Sequence, residues 1–344
     1  MNYKLLGRSG LRVSELALGT MTFGEDWGFG ASKEESQKIF NTFVEAGGNF
    51  IDTAVNYTNG TIEKYVGEFI RDNRERFVIA TKYTLNTSPD DPNGGGNHRK
   101  NLVQSVEKSL KQLNTDYIDL LWLHAWDFMT PIEEVMRGLD DLVRSGKILY
   151  IGVSDTPAWI VSQGNMLATL RGWTPFIGLQ VEYNLLQRTP ERDLLPMASS
   201  LDLGVTAWAP MAGGALTGKY NKPSAEKGRL SPQSARLNEH NRAIATVVEE
   251  IAKELEASPA QVALNWVRQQ SGTIIPLIGA KREDQMKENL DSLKFKLSDT
   301  HLNLLNEASK IELGFPHDFL ASEPVLKAIH GSTFGKIEKR KNTY

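Results

Sequence analysis

The fold of this protein is decided by residues 101–154, NLVQSVEKSLKQLNTDYIDLLWLHAWDFMTPIEEVMRGLDDLVRSGKILYIGVS. Apolar residues recur at helical spacing over Asn101–Leu113, and a short apolar run follows over Ile118–His124. A second helix is predicted over Ile132–Ser145 and a second strand over Ile148–Ser154. The stretch therefore contains two successive helix–strand pairs, which are typical of a parallel sheet.

The same alternation extends along the whole chain. Eight short apolar runs are predicted as strands, near Glu15–Thr20, Phe50–Asp52, Phe77–Lys82, Ile118–His124, Ile148–Ser154, Phe176–Glu182, Val205–Pro210 and Thr273–Ile278. An open Rossmann sheet is the structural alternative, but residues 18–24, LGTMTFG, lack its glycine fingerprint. The glycines at 94–96 lie in a loop with no strand before it. We therefore predict an α/β fold in which eight parallel strands close into a (β/α)8 TIM barrel.

The predicted barrel accounts for nearly the whole chain. A length of 344 residues would suggest two domains at about 150 residues each, but an α/β barrel of this length folds as one. We therefore predict one domain over residues 1–344, with an N-terminal hairpin over about residues 1–14 and a C-terminal tail over about residues 313–344. An insertion at Met211–Glu239 follows the seventh strand, and Lys336–Tyr344 is predicted to be a solvated basic end.

Composition excludes several classes of function. The chain has 39 Lys and Arg against 42 Asp and Glu, a net charge of −3, which provides no basic surface for nucleic acid or an anionic membrane. It contains no cysteine, which excludes disulfides, thiolate zinc sites and iron–sulfur clusters. The first seven residues lack the long apolar core of a signal peptide, and no apolar run approaches about 18 residues. We expect a cytoplasmic protein that binds neither nucleic acid nor membrane, and the sequence does not specify its oligomeric state.

Ionisable side chains end three successive predicted strands. Asp52 ends the second strand and is followed by Tyr57, Lys82 ends the third, and His124 ends the fourth. In a barrel, catalytic groups collect at the carboxyl ends of the strands. Taken singly, each residue has a structural interpretation, such as a loop anchor for Asp52 or a core histidine for His124. Their convergence on one face of the barrel favours a catalytic site.

Together these four residue types can form a proton-donating unit. Tyrosine has a pKa near 10 and is a poor acid at neutral pH because it leaves an unstable phenolate. The Lys82 ammonium would stabilise that phenolate and lower the pKa of Tyr57. Asp52 would supply the counter-ion that a buried ammonium needs, and a neutral His124 can donate a hydrogen bond to a carbonyl oxygen. This set suits reduction of a carbonyl compound without a metal.

The sequence resembles the aldo-keto reductases over about residues 3–295. The matching segments are GGNFIDTA at 47–54 with Tyr57, TK at 81–82, DYIDL at 116–120 leading to His124, GVS at 152–154, and IPLIGA at 275–280 with Asn289. The resemblance implies that Asp52, Tyr57, Lys82 and His124 form a catalytic tetrad, with Tyr57 as the acid in reduction and the base in oxidation. It extends to the aryl-alcohol dehydrogenases and the potassium-channel β subunits of that superfamily.

The resemblance also implies NADP(H) bound in an extended form across the barrel mouth. Ser154 and Gln180 would hydrogen-bond the nicotinamide carboxamide, and Trp208 would stack on the nicotinamide ring. The full set of predicted cofactor-binding residues is Gly19, Thr20, Met21, Asp52, Ser154, Asp155, Gln180, Trp208, Ala209, Pro210, Met211, Gly213, Gly214, Leu216, Gly218, Lys219, Ile278, Gly279, Lys281, Arg282, Gln285, Glu288 and Asn289.

This set includes a glycine-rich segment, a pair of cations and one residue that differs from the family pattern. Gly213–Lys219 has the spacing of a Walker A loop, but Tyr220 stands where Ser or Thr would bind magnesium, so its glycines better suit a close approach to a pyrophosphate. Lys281 and Arg282 stand where the family recognises a ribose 2′-phosphate, which favours NADP(H) over NAD(H). The family usually has asparagine after the serine, whereas this chain has Asp155, which accepts hydrogen bonds and cannot donate them.

Aromatic residues are expected around the mouth. Trp27 and Phe29 follow the first strand, and Trp126 and Phe128 follow the fourth. Trp27 and Trp126 are the predicted substrate-pocket residues, and an aromatic lining favours aryl or apolar carbonyl compounds. The tail at Phe315–His330 is expected to close over the site, as the C-terminal loop does in similar enzymes.

Two hypotheses from different functional classes follow. The first is an NADP(H)-dependent reductase that converts aldehydes and ketones to alcohols. The alternative is a cofactor-binding regulatory subunit with slow turnover, like the potassium-channel β subunits. Other enzyme classes fit poorly, because no tyrosine begins a Tyr-x-x-x-Lys motif and neither His-Glu-x-x-His nor Gly-x-Ser-x-Gly occurs.

Overall fold

The chain begins with a two-stranded antiparallel hairpin. A computed structural model describes residues 1–221, 230–231 and 233–338, and in it β1 (Tyr3–Leu5) pairs with β2 (Arg12–Ser14). Leu6 in the turn of the hairpin is fully buried in a cluster that includes residues of the barrel interior.

Eight parallel strands follow and close into a barrel, as predicted. The strands are β3 (Ala17–Gly19), β4 (Phe50–Asp52), β5 (Val78–Tyr83), β6 (Ile118–Leu123), β7 (Ile148–Ser154), β8 (Gly178–Glu182), β9 (Gly204–Trp208) and β10 (Ile274–Ile278). Each strand pairs with the next, and β10 pairs with β3 to complete the closure. The (β/α)8 TIM barrel expected from the sequence is therefore the observed fold.

Helices lie between and after these strands. They are α1 (Lys33–Glu45), α2 (Thr61–Ile70), α3 (Arg99–Leu113), α4 (Ile132–Arg144), α5 (Ala158–Arg171), α6 (Leu194–Ser200), α7 (Glu239–Glu254), α8 (Pro259–Arg268), α9 (Glu283–Asp291), α10 (Asp299–Ala308), α11 (His317–Ala321) and α12 (Glu323–His330). Among the described residues, no helix has both the length and the apolar character to span a bilayer.

The barrel interior is filled by side chains rather than left open. Trp122 of β6 is fully buried there, and its ring takes the space beside Gly152 of β7 and Gly178 of β8. A Cβ on Gly152 would lie 2.3 Å from that ring, and a Cβ on Gly178 would lie 2.9 Å from it. The tryptophan is accommodated because these two positions lack side chains.

Strand and helix ends differ from the predicted ones by a few residues. The seventh barrel strand ends at Trp208 rather than at Pro210, because Ala209 has a φ of +50° and leaves the extended conformation. Helix α8 begins at Pro259, after a capping box formed by Ser258 and Gln261.

The described C-terminal residues, 311–338, do not line the barrel mouth. In residues 311–338 no side chain is buried, and Phe315 is 85% exposed. Arg192 donates to the carbonyl of Glu312 at 2.7 Å and holds the start of this segment beside the connection that follows β8. The expected closure by Phe315–His330 is therefore wrong for this structure. The predicted solvated end at Lys336–Tyr344 lies, from residue 339 onward, outside the described residues.

Candidate active site

A cavity of about 730 Å³ opens at the carboxyl ends of the barrel strands. Its lining includes most of the residues that the sequence singled out: Gly19, Thr20, Met21, Asp52, Tyr57, His124, Ser154, Asp155, Gln180, Trp208, Ala209, Pro210, Met211, Gly213, Gly214, Lys219, Gly279, Lys281, Arg282, Gln285, Glu288 and Asn289. The barrel closure brings these residues together from segments as far apart as β3 and α9.

A buried ion pair lies at the base of this cavity. The Lys82 ammonium contacts the Asp52 carboxylate, and both side chains are only 1% exposed. The same ammonium donates to the carbonyl of Thr53 at 2.8 Å. The second carboxylate oxygen of Asp52 accepts from the side-chain amide of Gln180 at 2.9 Å. Each buried charge therefore has an opposite charge and a further polar partner, as a buried ion pair requires.

Tyr57 lies against the ammonium of this ion pair. The distance from Lys82 Nζ to the Tyr57 hydroxyl is 3.4 Å, and Nζ lies 5.0 Å from the centre of the ring. The chain turns sharply after the tyrosine, because Thr58, Asn59 and Gly60 have φ values of +43°, +53° and +94°. Three successive left-handed residues are uncommon, and here they connect Tyr57 directly to the start of α2.

The net pKa shift of Tyr57 is opposite to the one predicted from the sequence. Burial raises the pKa of Tyr57, the Lys82 ammonium lowers it, the Asp52 carboxylate raises it, and the net change is upward. The Lys82 ammonium acts in the expected direction, but burial and the charge of the Asp52 counter-ion outweigh it. Burial lowers the pKa of Lys82, while Asp52 and Tyr57 raise it, and its net change is also upward. At neutral pH the pair is an ammonium beside an intact phenol.

His124 follows β6 and faces the tyrosine. The two ring centres are 6.1 Å apart and the rings meet edge to face at 73°. Burial, and then the positive charge of Lys82, lower the pKa of His124 to about 3. The imidazole is therefore neutral at physiological pH and can donate from one ring nitrogen while the other accepts.

Ser154 and Gln180 lie side by side because β7 and β8 pair in the register Ser154↔Gln180. The hydroxyl oxygen of Ser154 is buried and makes no hydrogen bond with the described residues. Next to it, Asp155 accepts from the indole nitrogen of Trp208 at 3.2 Å. A buried hydroxyl without a partner is costly, and here it lies at the edge of an open cavity.

The glycine-rich segment after β9 lines another side of the cavity. Gly213 and Gly214 have φ values of +68° and +94°, which other residues adopt only with strain. Arg236 approaches this segment and forms an ion pair with Glu182 at the end of β8, at 2.5 Å. Within the predicted insertion at Met211–Glu239, residues 222–229 and 232 lie outside the described residues.

The segment after β10 provides the remaining predicted residues. Gln285, Glu288 and Asn289 share one face of α9, and Lys281 and Arg282 come just before that helix. Arg282 is paired with the nearby Asp284 at 3.0 Å. Both cations line the cavity at the N-terminal end of α9, where the helix dipole also favours an anion.

Four of the predicted catalytic and cofactor-binding residues do not line the cavity. Lys82 lies behind Tyr57 and acts on the cavity only through its partners. Leu216 is fully buried in the core, and the space beside Gly218 is filled by Glu249. Ile278 belongs to the core cluster outside the barrel, while its neighbour Leu277 lines the cavity, because successive strand residues face opposite sides.

The two tryptophans predicted for the substrate pocket also lie outside the lining. Trp27 packs edge to face on Tyr57, with the ring centres 6.0 Å apart, and Phe29 lies 6.0 Å from Trp27. Trp126 is half-buried against the core cluster, and Phe128 is exposed. Trp27 thus borders the tyrosine, while Trp126 and Phe128 do not line the cavity.

Several lining residues were not predicted from the sequence. They are Thr22, Thr217, Arg236, Pro259, Ala260, Leu277 and Ala280. Pro259 and Ala260 begin α8, and the capping residues before this helix indicate where it starts but not that it lies beside the cavity. Arg236 lies in an insertion without a regular pattern, so no sequence signal pointed to it.

Comparison with known proteins identifies the family. The model of the aldo/keto reductase family matches residues 15–310. This chain belongs to the aldo/keto reductase family. Norsolorinic acid reductase A of Aspergillus parasiticus is 39% identical over 326 residues, which are 92% of this chain and 83% of that protein. The aryl-alcohol dehydrogenase [NADP(+)] of Phanerodontia chrysosporium is 37% identical over 333 residues, 90% of this chain and 86% of that protein.

Membership of the aldo/keto reductase family makes this protein an oxidoreductase that reduces carbonyl compounds. A further relative, norsolorinic acid reductase B of Dothistroma septosporum, is 37% identical over 332 residues, which are 93% of this chain and 85% of that protein. The family match spans the whole barrel, from the segment before β3 to the end of α10.

Proposed function

We propose that this protein is an NADP(H)-dependent reductase of aldehydes and ketones with aryl or apolar substituents, and that it oxidises the corresponding alcohols in reverse. Asp52, Tyr57, Lys82 and His124 are the proposed catalytic residues. The observation that carries the proposal is the Lys82 ammonium, 3.4 Å from the Tyr57 hydroxyl at the base of the cavity. A phenol beside a buried ammonium is suited to giving a proton to an oxygen that becomes anionic.

The residues of the cavity fit a nicotinamide dinucleotide phosphate. The Ser154 hydroxyl is buried without a partner, as a group that binds a ligand would be. Gly213 and Gly214 leave room for a close approach of phosphate oxygens to the backbone. Lys281 and Arg282 provide two cations at a helix N-terminus for the additional ribose phosphate. A bound NADPH supplies the hydride.

The protein side of the reaction follows from the geometry. Tyr57 gives its proton to the carbonyl oxygen as that oxygen becomes an alkoxide, and the phenolate left behind faces the Lys82 ammonium. Asp52 keeps this ammonium charged in a buried position. His124, neutral because its pKa is about 3, donates a hydrogen bond that orients the carbonyl toward Tyr57. In alcohol oxidation the same groups act in reverse.

The preference for aryl or apolar substrates is supported by the aromatic rings beside the tyrosine. Trp27 packs on Tyr57, and Trp208 lines the cavity. Two relatives carry names that refer to aryl alcohols and to norsolorinic acid. We also propose that the enzyme acts in the cytoplasm on small molecules and that residues 1–344 form one domain, consistent with the composition.

The test of the proton donor is Tyr57→Phe. We expect kcat for reduction of aryl aldehydes, measured as NADPH oxidation at 340 nm, to fall by about 10²–10⁴-fold. The dissociation constant for NADPH should change less than twofold, because the hydroxyl is assigned to the carbonyl substrate. Wild-type turnover in this variant would contradict the assignment.

The matched control is Tyr65→Phe. Tyr65 also has a lysine beside its ring, with Lys33 Nζ at 5.6 Å from the ring centre, but it lies on α2 and does not line the cavity. This variant should retain wild-type turnover. If the wild-type protein binds NADPH but oxidises it at the background rate across the aldehyde panel, the regulatory subunit becomes the better hypothesis.

A further inference from the structure

The backbone at Thr84 adopts a conformation that is rare for threonine. Thr84 directly follows β5, two residues after Lys82, and is 5% exposed. Its φ is +99°, which is an outlier for a β-branched residue because the side chain crowds the backbone. Strained residues of this kind persist only where the surrounding structure holds them, and they cluster at functional sites. We therefore looked for the contacts that hold Thr84 in place.

The Thr84 hydroxyl bridges the ends of β5 and β6. The two strands pair as far as Tyr83 and Leu123, and the residues that follow are Thr84 and His124. The backbone amide of His124 donates to the Thr84 hydroxyl oxygen at 3.3 Å. The same hydroxyl donates to the side-chain oxygen of Asn97 at 2.8 Å. A hydroxyl can accept and donate at once, so beyond the strand ends this side chain supplies the acceptor that the His124 amide needs.

Asn97 connects this hydroxyl to the loop after β6. It is fully buried, and its backbone amide donates to the carboxylate of Asp127 at 2.7 Å. Asp127 also accepts from two backbone amides of its own loop, both at 2.9 Å. On the other side, the carbonyl of Thr84 accepts from the amide of Gly96 at 2.7 Å. The loops after β5 and β6 are thus joined by a chain of hydrogen bonds that begins at the His124 amide.

The imidazole of His124 has no comparable anchor on its protein side. Its Nδ1 is buried and makes no hydrogen bond with the described residues. In histidines that act on a ligand, a hydrogen bond at one ring nitrogen usually fixes the role of the other. Without such a bond, the orientation of the ring depends on where the backbone of His124 lies.

We propose that Thr84 is a positioning residue for the reaction, whose hydroxyl holds the backbone of His124 so that the imidazole faces the carbonyl substrate beside Tyr57. The inference rests on the proposed reduction of carbonyl compounds. Thr84 does not line the cavity, so it acts through His124 and does not touch substrate or cofactor. A displacement of about 1 Å in a group that orients the substrate can lower the rate about 100-fold.

The test compares Thr84→Val, Thr84→Ser and Thr84→Gly. Valine keeps the branched shape without the hydroxyl, serine keeps the hydroxyl, and glycine removes both the hydroxyl and the strain. We expect kcat/KM for aryl aldehydes to fall about 10–100-fold in the valine and glycine variants. The serine variant should stay within about threefold of wild type. The dissociation constant for NADPH should change less than twofold in all three, because Thr84 lies outside the cavity.

Two further measurements distinguish positioning from a general loss of stability. The backbone amide signal of His124 in ¹H–¹⁵N NMR spectra should shift in the valine and glycine variants, because the amide loses its acceptor, and should stay in place in the serine variant. The urea midpoints of the three variants should not follow their kcat/KM values, because glycine relieves the strain while removing the hydroxyl. If kcat/KM instead follows the urea midpoint, Thr84 has only a structural role and the inference is overturned.

The control variant is Thr115→Val. The Thr115 hydroxyl also accepts and donates, from Arg74 Nε at 3.0 Å and to the carbonyl of Tyr117 at 3.3 Å. It lies just before β6, at the amino ends of the barrel strands, so its loss should leave kcat/KM within twofold of wild type.

Three kinetic results would contradict the role of Thr84. They are wild-type kcat/KM in Thr84→Val or Thr84→Gly, a serine variant as slow as the valine variant, and an equal loss in Thr115→Val. In each case the proposed function stands, because it depends on Tyr57 and the cofactor site. A wild-type protein that does not oxidise NADPH with any aryl aldehyde would overturn the proposed function, and this inference with it.

Discussion

The chemistry of Lys82 is set by the groups that it touches inside the barrel. Its ammonium contacts the Asp52 carboxylate, the Thr53 carbonyl and the Tyr57 hydroxyl. Burial alone would lower its pKa, but Asp52 and Tyr57 raise it, so the lysine remains charged. Burial raises the pKa of Tyr57 by more than the ammonium lowers it. The resting site therefore holds a protonated phenol, which is the form that a proton donor in carbonyl reduction needs.

The pKa of His124 leads to a prediction at the same scale. Because burial and the charge of Lys82 lower this pKa to about 3, the imidazole should remain neutral between pH 5 and 9. Its ¹H–¹³C correlation should therefore not shift across that range in an NMR titration. The urea-denatured chain is the reference, because all six histidines should then titrate near 6.5. A His124 transition between pH 5 and 8 would contradict the burial argument.

Among the elements, helix α2 connects the left-handed turn that follows Tyr57 to the rest of the barrel. Its first residue follows the left-handed turn of Thr58–Gly60. One turn into the helix, the buried Glu63 accepts from Thr81 at 2.6 Å, next to Lys82 on β5. Burial raises the pKa of Glu63 to about 7. The helix is thus attached by a buried hydrogen bond to the strand that carries the lysine.

Gly67 is a position at which α2 lies close to the backbone of Leu113, the last residue of α3. A Cβ on Gly67 would lie 2.5 Å from the carbonyl oxygen of Leu113 and 2.9 Å from its Cα. In Gly67→Ala the gain of about 1 kcal/mol in helix propensity should be outweighed by overpacking against backbone. We expect a net loss of about 1–2 kcal/mol in the free energy of unfolding, measured by urea denaturation.

Gly138→Ala on α4 is the matched control. A Cβ there would meet only the end of the Leu102 side chain, at 2.9 Å, and a side-chain end can shift more readily than backbone. We expect this variant to differ from wild type by less than about 1 kcal/mol. Equal destabilisation by the two substitutions would show that backbone proximity at Gly67 is not the cause.

At the scale of the whole molecule, the barrel closes where its first and last strands meet. β3 and β10 are paired at only two positions, Ala17 with Leu277 and Leu18 with Ile278. Side chains reinforce this closure on the side of the hairpin. Glu15, just before β3, forms a largely buried ion pair with Arg268 of α8 at 2.8 Å.

Glu15→Gln should loosen the closure. Burial raises the pKa of Glu15. Arg268 and the backbone amide of Asn2 lower this pKa by a larger amount together, so its net change is downward. A carboxyl group whose pKa is lower in the folded state than in the unfolded state stabilises the fold at pH values above its ordinary pKa of 4.5. This stabilisation is lost as the pH falls through the pKa of the folded state. We expect a loss of about 2–3 kcal/mol at pH 7, and a smaller difference from wild type below pH 4.5, in urea titrations.

The exposed pair of Lys33 and Glu68 provides the control for this prediction. Their side chains are 41% and 54% exposed, and surface ion pairs contribute little to stability. Glu68→Gln should leave the urea midpoint unchanged at pH 7. A Glu15→Gln variant that behaves in the same way would show that the hydrogen bonds of β3 and β10 alone are sufficient for closure.

The amino-acid sequence by itself was enough to predict the eight strands, the closed barrel and the candidate catalytic residues. Strand and helix periodicities are local, and side chains at the ends of parallel strands necessarily meet at one face of the barrel. Asp52, Tyr57 and His124 were found for this reason. The family motifs also lie in short contiguous segments such as residues 47–54, so they did not depend on tertiary information.

Only the tertiary structure decided the direction of the Tyr57 pKa shift, the lining by Leu277 rather than Ile278, and the position of the tail. The burial of an ionisable group depends on every element that packs around it. The side of the sheet to which a strand residue points depends on the register of the closed barrel. Arg236 and Pro259 reached the cavity through packing of segments distant in sequence. These properties arise from long-range packing, which local patterns do not encode.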